Sequence, residues 1–300
     1  MKIETLLISG ASTKAPIFIG CIRGLYEKKI INHKLDGIKH IITCSIGMLL
    51  SIYLLLNVPL NVLEEAIMKI NFLDLLDVDS IDINSILFQN GMFDNDKITS
   101  LIQGLLKHKY NKSDLTLQEL YEINPILLTV KCCNVTRGYN EYINYKTHPN
   151  LSISLLLKMT TCLPFIFKPI EYNDNLYVDG GLTGGYPIEL VTSNYLGLLV
   201  IGKSDVGRIF DDLPLFNYII DLLKVKVIDY DNYPKQYTIT YKSDIGFSDF
   251  EISTKTKKDL IKLGYDKTLE HINKYKLIND LFNTLHHEDI NPNEEDLTPM

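Results

Sequence analysis

From Ile41 to Leu63 the chain carries no charged side chain. A run longer than the ~18–20 apolar residues that suffice to cross a bilayer has two physical homes, lipid or the interior of a large core. Its interruptions choose between them. Thr43-Cys44-Ser45-Ile46-Gly47 breaks it near the start, and Asn57 and Pro59 break it near the end. These residues divide it into a short buried strand at Ile41 and Ile42 and a buried helix from Ile46 to Leu56. An all-apolar strand feeding an all-apolar helix is the pattern of an α/β core whose sheet is covered on both faces. Burial is therefore expected, with no transmembrane helix. Three hundred residues at 46% hydrophobic suffice for one such core. No linker precedes the end of the chain, so one domain is expected over 1–285, with an acidic, apolar-poor tail from His286 to Met300 expected to be disordered.

The junction inside the run carries the chemistry. Ser45 lies between strand and helix, in a pentapeptide close to G-x-S-x-G but with Thr43 in place of the first glycine. A serine at a sharp strand-to-helix turn has its hydroxyl exposed above the sheet. The helix N-terminus beside it favours developing negative charge. Gly47 lets strand and helix pack closely; Thr43 does so less well. Read alone, S-x-G is equally a serine N-cap on a buried helix. Two further stretches bear on it. Leu176–Leu190 reads LYVDGGLTGGYPIEL, with Asp179 at a strand end before Gly180 and Gly181, which are free to take positive φ. Asp-Gly is also a strong hairpin signal. Leu6–Leu25 begins with a short strand and runs through the small-residue loop Gly10-Ala11-Ser12-Thr13 and Lys14 into a helix. Such a loop can aim backbone N–H groups at an anion.

In this order the three stretches resemble the patatin-like phospholipase family. Its pattern is a glycine-rich loop with a basic residue, then G-x-S-x-G, then D-G-G/A. Gly10 and Gly20 match the loop and helix glycines, and Lys14 stands where the family usually has arginine. Met159–Ile170 (MTTCLPFIFKPI) and Pro187-Ile188-Glu189 resemble the segments that flank the family's aspartate. The resemblance covers Lys2 to about Val200. It implies a three-layer α/β fold with a mostly parallel central sheet flanked by helices. It also implies a Ser45–Asp179 dyad without histidine, in which Ser45 attacks an acyl carbonyl and Asp179 is its base. Backbone N–H groups of Gly10, Ala11, Ser12 and Thr13 would hold the oxyanion, supported by Lys14, Gly47, Gly180 and Gly181. The implied reaction is hydrolysis of a fatty acyl ester of a phospholipid, lysophospholipid or glyceride, with no cofactor and no metal. Two departures fall at sensitive places. Ala11 and Ser12 replace loop glycines and incur a steric cost wherever the loop needs positive φ. Thr43 is branched and can crowd the elbow. A catalytically impaired lipid- or protein-binding module is the alternative these departures raise.

Other readings are weaker. A Ser45, Asp179, then His271 or His286 order matches that of α/β-hydrolase triads, but that fold places its elbow after several strands and here it follows the second. The net charge of −7 and the lack of a basic run argue against nucleic acid and give no polybasic signal for membranes. Lys2, Glu4 and a brief apolar stretch do not form a secretory leader, so a cytoplasmic protein, peripheral to membranes where it meets lipid, is expected. The odd cysteines Cys21, Cys44, Cys132, Cys133 and Cys162 lack C-x-x-C spacing and read as buried free thiols. Cys44 adjoins Ser45, but strand alternation should turn its side chain away. The acidic run Asp74, Asp77, Asp79, Asp82 lacks the glycine and final glutamate of a calcium loop. Further elements are expected as helices at Pro59–Ile70, from an Asp94 cap to about Lys107, at Leu151–Cys162, Leu213–Val227 and Thr254–Tyr275. Strands are expected at Ile126–Cys132, Tyr139–Lys146, Leu196–Gly202 and Tyr237–Tyr241.

Overall fold

The computed structural model describes residues 3–76, 88–191, 194–202, 233–246 and 249–288, with side chains to Tyr275. The first strand, β1 (Thr5–Ile8), leads through a 3-10 turn at Ser12–Lys14 into α1 (Pro16–Glu27), where proline occupies the first helical turn. The uncharged run becomes β2 (His40–Cys44) and α2 (Gly47–Leu55), and every residue of α2 is buried. No helix among the described residues is long and apolar enough to cross a membrane. The run's hydropathy goes into the core, as its interruptions imply.

After α3 (Leu60–Lys69) and the short β3 (Gly91–Phe93), a 3-10 turn at Asp96–Thr99 opens α4 (Ser100–Tyr110). Asp94 does not cap it; its carboxylate pairs instead with Lys168 at 3.0 Å. Then come α5 (Leu117–Ile123), whose Thr116 and Glu119 form a capping box, and the hairpin β4 (Leu127–Asn134) and β5 (Tyr139–Ile143). Gly138 turns that hairpin at φ 70°. Helix α6 (Ile153–Thr161) starts later than expected because Ser152 takes the N-cap, its Oγ accepting from the Leu155 N–H at 3.1 Å. Strands β6 (Phe165–Phe167), β7 (Ile170–Tyr172), β8 (Asn175–Asp179), β9 (Tyr195–Ile201) and β10 (Thr238–Lys242) follow. The last helix, α7 (Thr254–Glu288), continues past His286, where the tail was expected to begin. Asp77, Asp79, Asp82 and the expected helix Leu213–Val227 lie outside the described residues, and so does the tail beyond Glu288.

The strands build an eight-stranded sheet in the order β10-β9-β1-β2-β4-β8-β7, with β5 paired to β4. From β10 to β4 all neighbours are parallel; β5, β7 and β8 join antiparallel. Alternation along the strands buries both faces. Leu6, Ile8 and Ile41 join the core with α1 and α2, whereas Leu7, Ile42 and Leu199 pack with Tyr186 and Tyr195 on the other side. The fold is thus mixed α/β, a large and mostly parallel sheet flanked by helices, as expected.

Candidate active site

The register of β4 brings the site together. A strand has two edges. Strand β5 overlaps β2 at Val130 and Lys131 and overlaps β8 at Cys132–Asn134, so it must hold one edge while β2 and β8 share the other. Along that shared edge Cys44 is the last residue of β2, opposite Lys131, and Asp179 is the last of β8, opposite Cys132. Two strands running toward each other therefore end nose to nose. Their next residues, Ser45 and Gly180, turn away from the sheet at the carboxyl end of the parallel strands, the usual place for function in open α/β sheets.

Ser45 makes its turn at φ 54°, the left-handed region that costs a side-chain-bearing residue strain. Glycines on either side make room. A Cβ on Gly47 would lie 2.6 Å from the Ser9 carbonyl and 2.5 Å from Thr43 Oγ1. One on Gly10 would lie 3.2 Å from Ser45 Cβ. Thr43 is fully buried, and its hydroxyl has no hydrogen-bond partner. The crowding expected of it is absorbed by Gly47, and the sharp turn still forms.

Ser45 Oγ donates to Asp179 Oδ2 at 2.6 Å. The Asp179 carboxylate also accepts from the Gly181 N–H at 2.7 Å and lies 3.7 Å from the Cys44 thiol. Its own amide donates to the Cys162 carbonyl at 2.8 Å. Asp179 is buried, and burial raises its pKa from 3.8 to about 6 against the pull of Ser45, Gly181, Cys44 and the Lys131 charge. Cys44 thus faces the carboxylate rather than away from it. Burial, and then the neighbouring carboxylate, raise its thiol well above the usual range, so it remains protonated. All five cysteines are free and buried.

The two glycines after Asp179 act differently from the expectation, for neither has positive φ. Gly180 is needed because a Cβ there would sit 2.5 Å from the Lys131 carbonyl. The left-handed residue of this loop is Gly184, at φ 115°. The segment is a 3-10 turn, Gly180–Thr183, and not a hairpin.

In the small-residue loop Ser12 takes φ 49°, the conformation the family's glycines would adopt freely. Gly10 donates its N–H to the Gly185 carbonyl at 2.8 Å, which occupies one of the donors expected for an oxyanion. Lys14 is buried. Its Nζ donates to the Gly246 carbonyl at 3.2 Å, and desolvation lowers its pKa to about 8 against the field of Asp249. It therefore ties the loop to residues 243–246. His271 Nε2 lies 3.1 Å from the Gln236 carbonyl, away from Asp179, and no triad forms with it. His286 has no described side chain. Among the described residues no cluster of histidine, cysteine and carboxylate side chains could hold a metal.

Two residues of the site escaped the sequence reading. Thr160 Oγ1 accepts from the Ser45 N–H at 2.8 Å and donates to the Lys131 carbonyl at 2.9 Å. Lys131 is 2% exposed, and its Nζ donates to the Gly184 carbonyl at 2.9 Å and to Glu189 at 3.3 Å. A lone lysine in the apolar run Ile126–Cys133 was a usable signal, since a charge in a buried strand needs a partner.

Comparison with known proteins bears on the family and the fold. A family model described as patatin-like phospholipase matches residues 6–192, which include Ser45, Asp179 and the small-residue loop. Over 187 residues the chain is 26% identical to "Probable lipid hydrolase 463L" of Invertebrate iridescent virus 6; the match spans 62% of this chain and 62% of that one. It is 24% identical to the "Uncharacterized protein R571" of Acanthamoeba polyphaga mimivirus over 93% of this chain and 96% of that protein. Among solved structures, VipD from Legionella pneumophila superposes with a TM-score of 0.64 at 15% identity, over 92% of this chain and 67% of that one. At that identity the likeness speaks for the fold. The family model spans more than half of the sequence and both strand ends that form the site, so the chain belongs to the patatin-like phospholipase family.

Proposed function

We propose that this protein hydrolyses fatty acyl esters of phospholipids, lysophospholipids or glycerides with Ser45 as nucleophile and Asp179 as its base. The observation that carries the reading is the 2.6 Å hydrogen bond from Ser45 Oγ to Asp179 Oδ2, made by a serine held at φ 54°. A serine hydroxyl is too weak an acid to attack an ester unaided. Asp179 would take its proton as Oγ bonds to the acyl carbon, then return that proton to the departing alcohol oxygen. Water would enter next, lose its proton to Asp179 and release the fatty acid, with the proton returning to Ser45. A base is most effective when its pKa approaches the working pH, and burial moves Asp179 in that direction. The oxyanion would be held by backbone N–H groups of the Ala11–Thr13 loop, at ~2.7–4 kcal/mol per donor in other hydrolases. Activation by a carboxylate asks for no metal. The viral relative named as a lipid hydrolase supports a lipid ester as substrate. The five buried free thiols fit a reducing compartment, and the substrate would be met at a membrane surface.

The test is a fluorophosphonate probe followed by a lipid-class hydrolysis screen. Wild-type protein is expected to be labelled on Ser45 and to release fatty acid, and Ser45→Ala to do neither. Folded wild-type protein that stays unlabelled and inactive would leave the impaired binding module as the reading.

A further inference from the structure

Lys131 is a buried cation that the dyad chemistry does not itself use. We propose that it is a positioning residue for the Ser45–Asp179 pair, holding nucleophile and base together from a single position on β4. This rests on the dyad reading above.

Lys131 acts in two directions. Its carbonyl accepts from Thr160 Oγ1 at 2.9 Å, and Thr160 Oγ1 accepts from the Ser45 N–H at 2.8 Å. That chain of two hydrogen bonds pins the amide of a residue in a strained conformation, which persists only where its surroundings determine it. Its ammonium donates to the carbonyl of Gly184. The next residue, Gly185, accepts the N–H of Gly10 at 2.8 Å. The loop that begins at Asp179 is thereby fixed at its far end, and that end braces the loop proposed to hold the oxyanion. Gly180 carries no Cβ, which lets the Lys131 carbonyl and Cγ pass beside the turn. Glu189 balances the ammonium from the outside, at 3.3 Å, and also accepts from the Tyr142 hydroxyl.

The groups that act on the Asp179 carboxylate are Ser45, Cys44, the Gly181 amide and Lys131, and the thiols of Cys132, Cys133 and Cys162 lie within its field. Lys131 is the one cation in this set. It favours the ionised carboxylate and opposes the burial that raises its pKa.

Lys131→Met keeps the stem and removes the ammonium. With p-nitrophenyl butyrate as substrate, kcat is expected to fall about 10- to 100-fold, the scale of a misplaced reacting group, with KM within about twofold. The acid limb of kcat/KM is expected to move to higher pH. Lys131→Gln keeps a donor toward Gly184 and should recover part of kcat without restoring the limb. Thr160→Val breaks the link to the Ser45 amide and should slow fluorophosphonate labelling with the limb unmoved; Thr160→Ser should restore it. A folded Lys131→Met protein with wild-type kcat and acid limb overturns the proposal. So does a folded Thr160→Val protein that labels at the wild-type rate. If Lys131→Met does not fold, the glutamine and Thr160 variants decide. An active wild type with unaffected variants ends this proposal alone. An inactive, unlabelled wild type ends the dyad reading, and this proposal with it.

Discussion

At the scale of single residues, the site tolerates side chains where glycine would be easier. Ser12 and Ser45 both sit in the left-handed region, and Thr43 fills the place of the elbow's first glycine with a buried hydroxyl that finds no partner. A buried orphan hydroxyl carries a desolvation cost that its removal relieves. Thr43→Val should therefore raise stability by about 1 kcal/mol, read as a higher denaturation midpoint with unchanged slope, and keep esterase turnover. A large loss of turnover in the folded variant would mean that the Thr43 hydroxyl takes part in the chemistry. The groups of the candidate site that meet in the structure, Ser45 and Asp179, and the Gly47 beside them, were legible because each stands at a change of periodicity or beside a breaker. The roles of Lys131 and Thr160 were not, because both depend on which strand edge meets which, and strand pairing is a long-range property. The orientation of Cys44 was misread for the same reason. Alternation fixes the side of its own strand but not the arrival of Asp179 from β8, antiparallel to β4.

At the scale of elements, the helix pair α1 and α7 depends on glycine for a reason no periodicity shows. A Cβ on Gly20 would lie 1.8 Å from the Ile261 carbonyl, and one on Gly264 would lie 2.0 Å from the Ile17 carbonyl. The two backbones are in contact, so Gly20→Ala must push α7 away from α1. A loss of at least about 3 kcal/mol is expected, the upper part of the range for overpacked cores. Gly104 in α4 has nothing within 4 Å of its missing Cβ and negative φ. There Gly104→Ala should stabilise by about 0.5–1 kcal/mol through the unfolded chain. Urea denaturation of both variants checks the contrast, and equal effects would refute the packing argument. A second tie reaches α7 from α3: Lys257 Nζ donates to the carbonyls of Ile67 at 3.1 Å and Met68 at 3.3 Å and to that of Ile70, completing the C-terminus of α3. The existence of α7 was legible from its apolar spacing, and that of α1 from the short strand and small-residue loop that run into it. Their mutual approach was not, since a helical glycine reads locally as a weakness and only the partner helix gives it a purpose.

At the scale of the whole molecule, the proposed dyad would have one buried carboxylate set activity and stability against each other. The folded protein holds the Asp179 proton up to about pH 6, whereas the unfolded chain releases it near 3.8. Between those values the native state binds more protons than the unfolded state, so the contribution of Asp179 to stability falls as pH rises. It is constant below the lower value and again above the higher one. The full change is on the order of 3 kcal/mol. On the dyad proposed above, Asp179 becomes competent as the base over the upper part of the same window, and kcat/KM should rise with pH along a limb centred near the Asp179 value. Asp179→Asn can keep the bonds to Gly181 and Ser45 without the charge. It should be inactive at every pH, unlabelled by fluorophosphonate, and more stable than wild type at pH 7.5. Relative to wild type, its advantage should shrink on acidification and be smallest below about pH 3, where the wild-type carboxyl is protonated in both states. Melting temperatures of the two proteins from about pH 3 to 8, beside the pH–rate profile of the wild type, test both halves of the argument. An advantage independent of pH would mean that Asp179 does not titrate in this window. A rate limb without the matching change in stability difference would assign the limb to another group and remove Asp179 as the base.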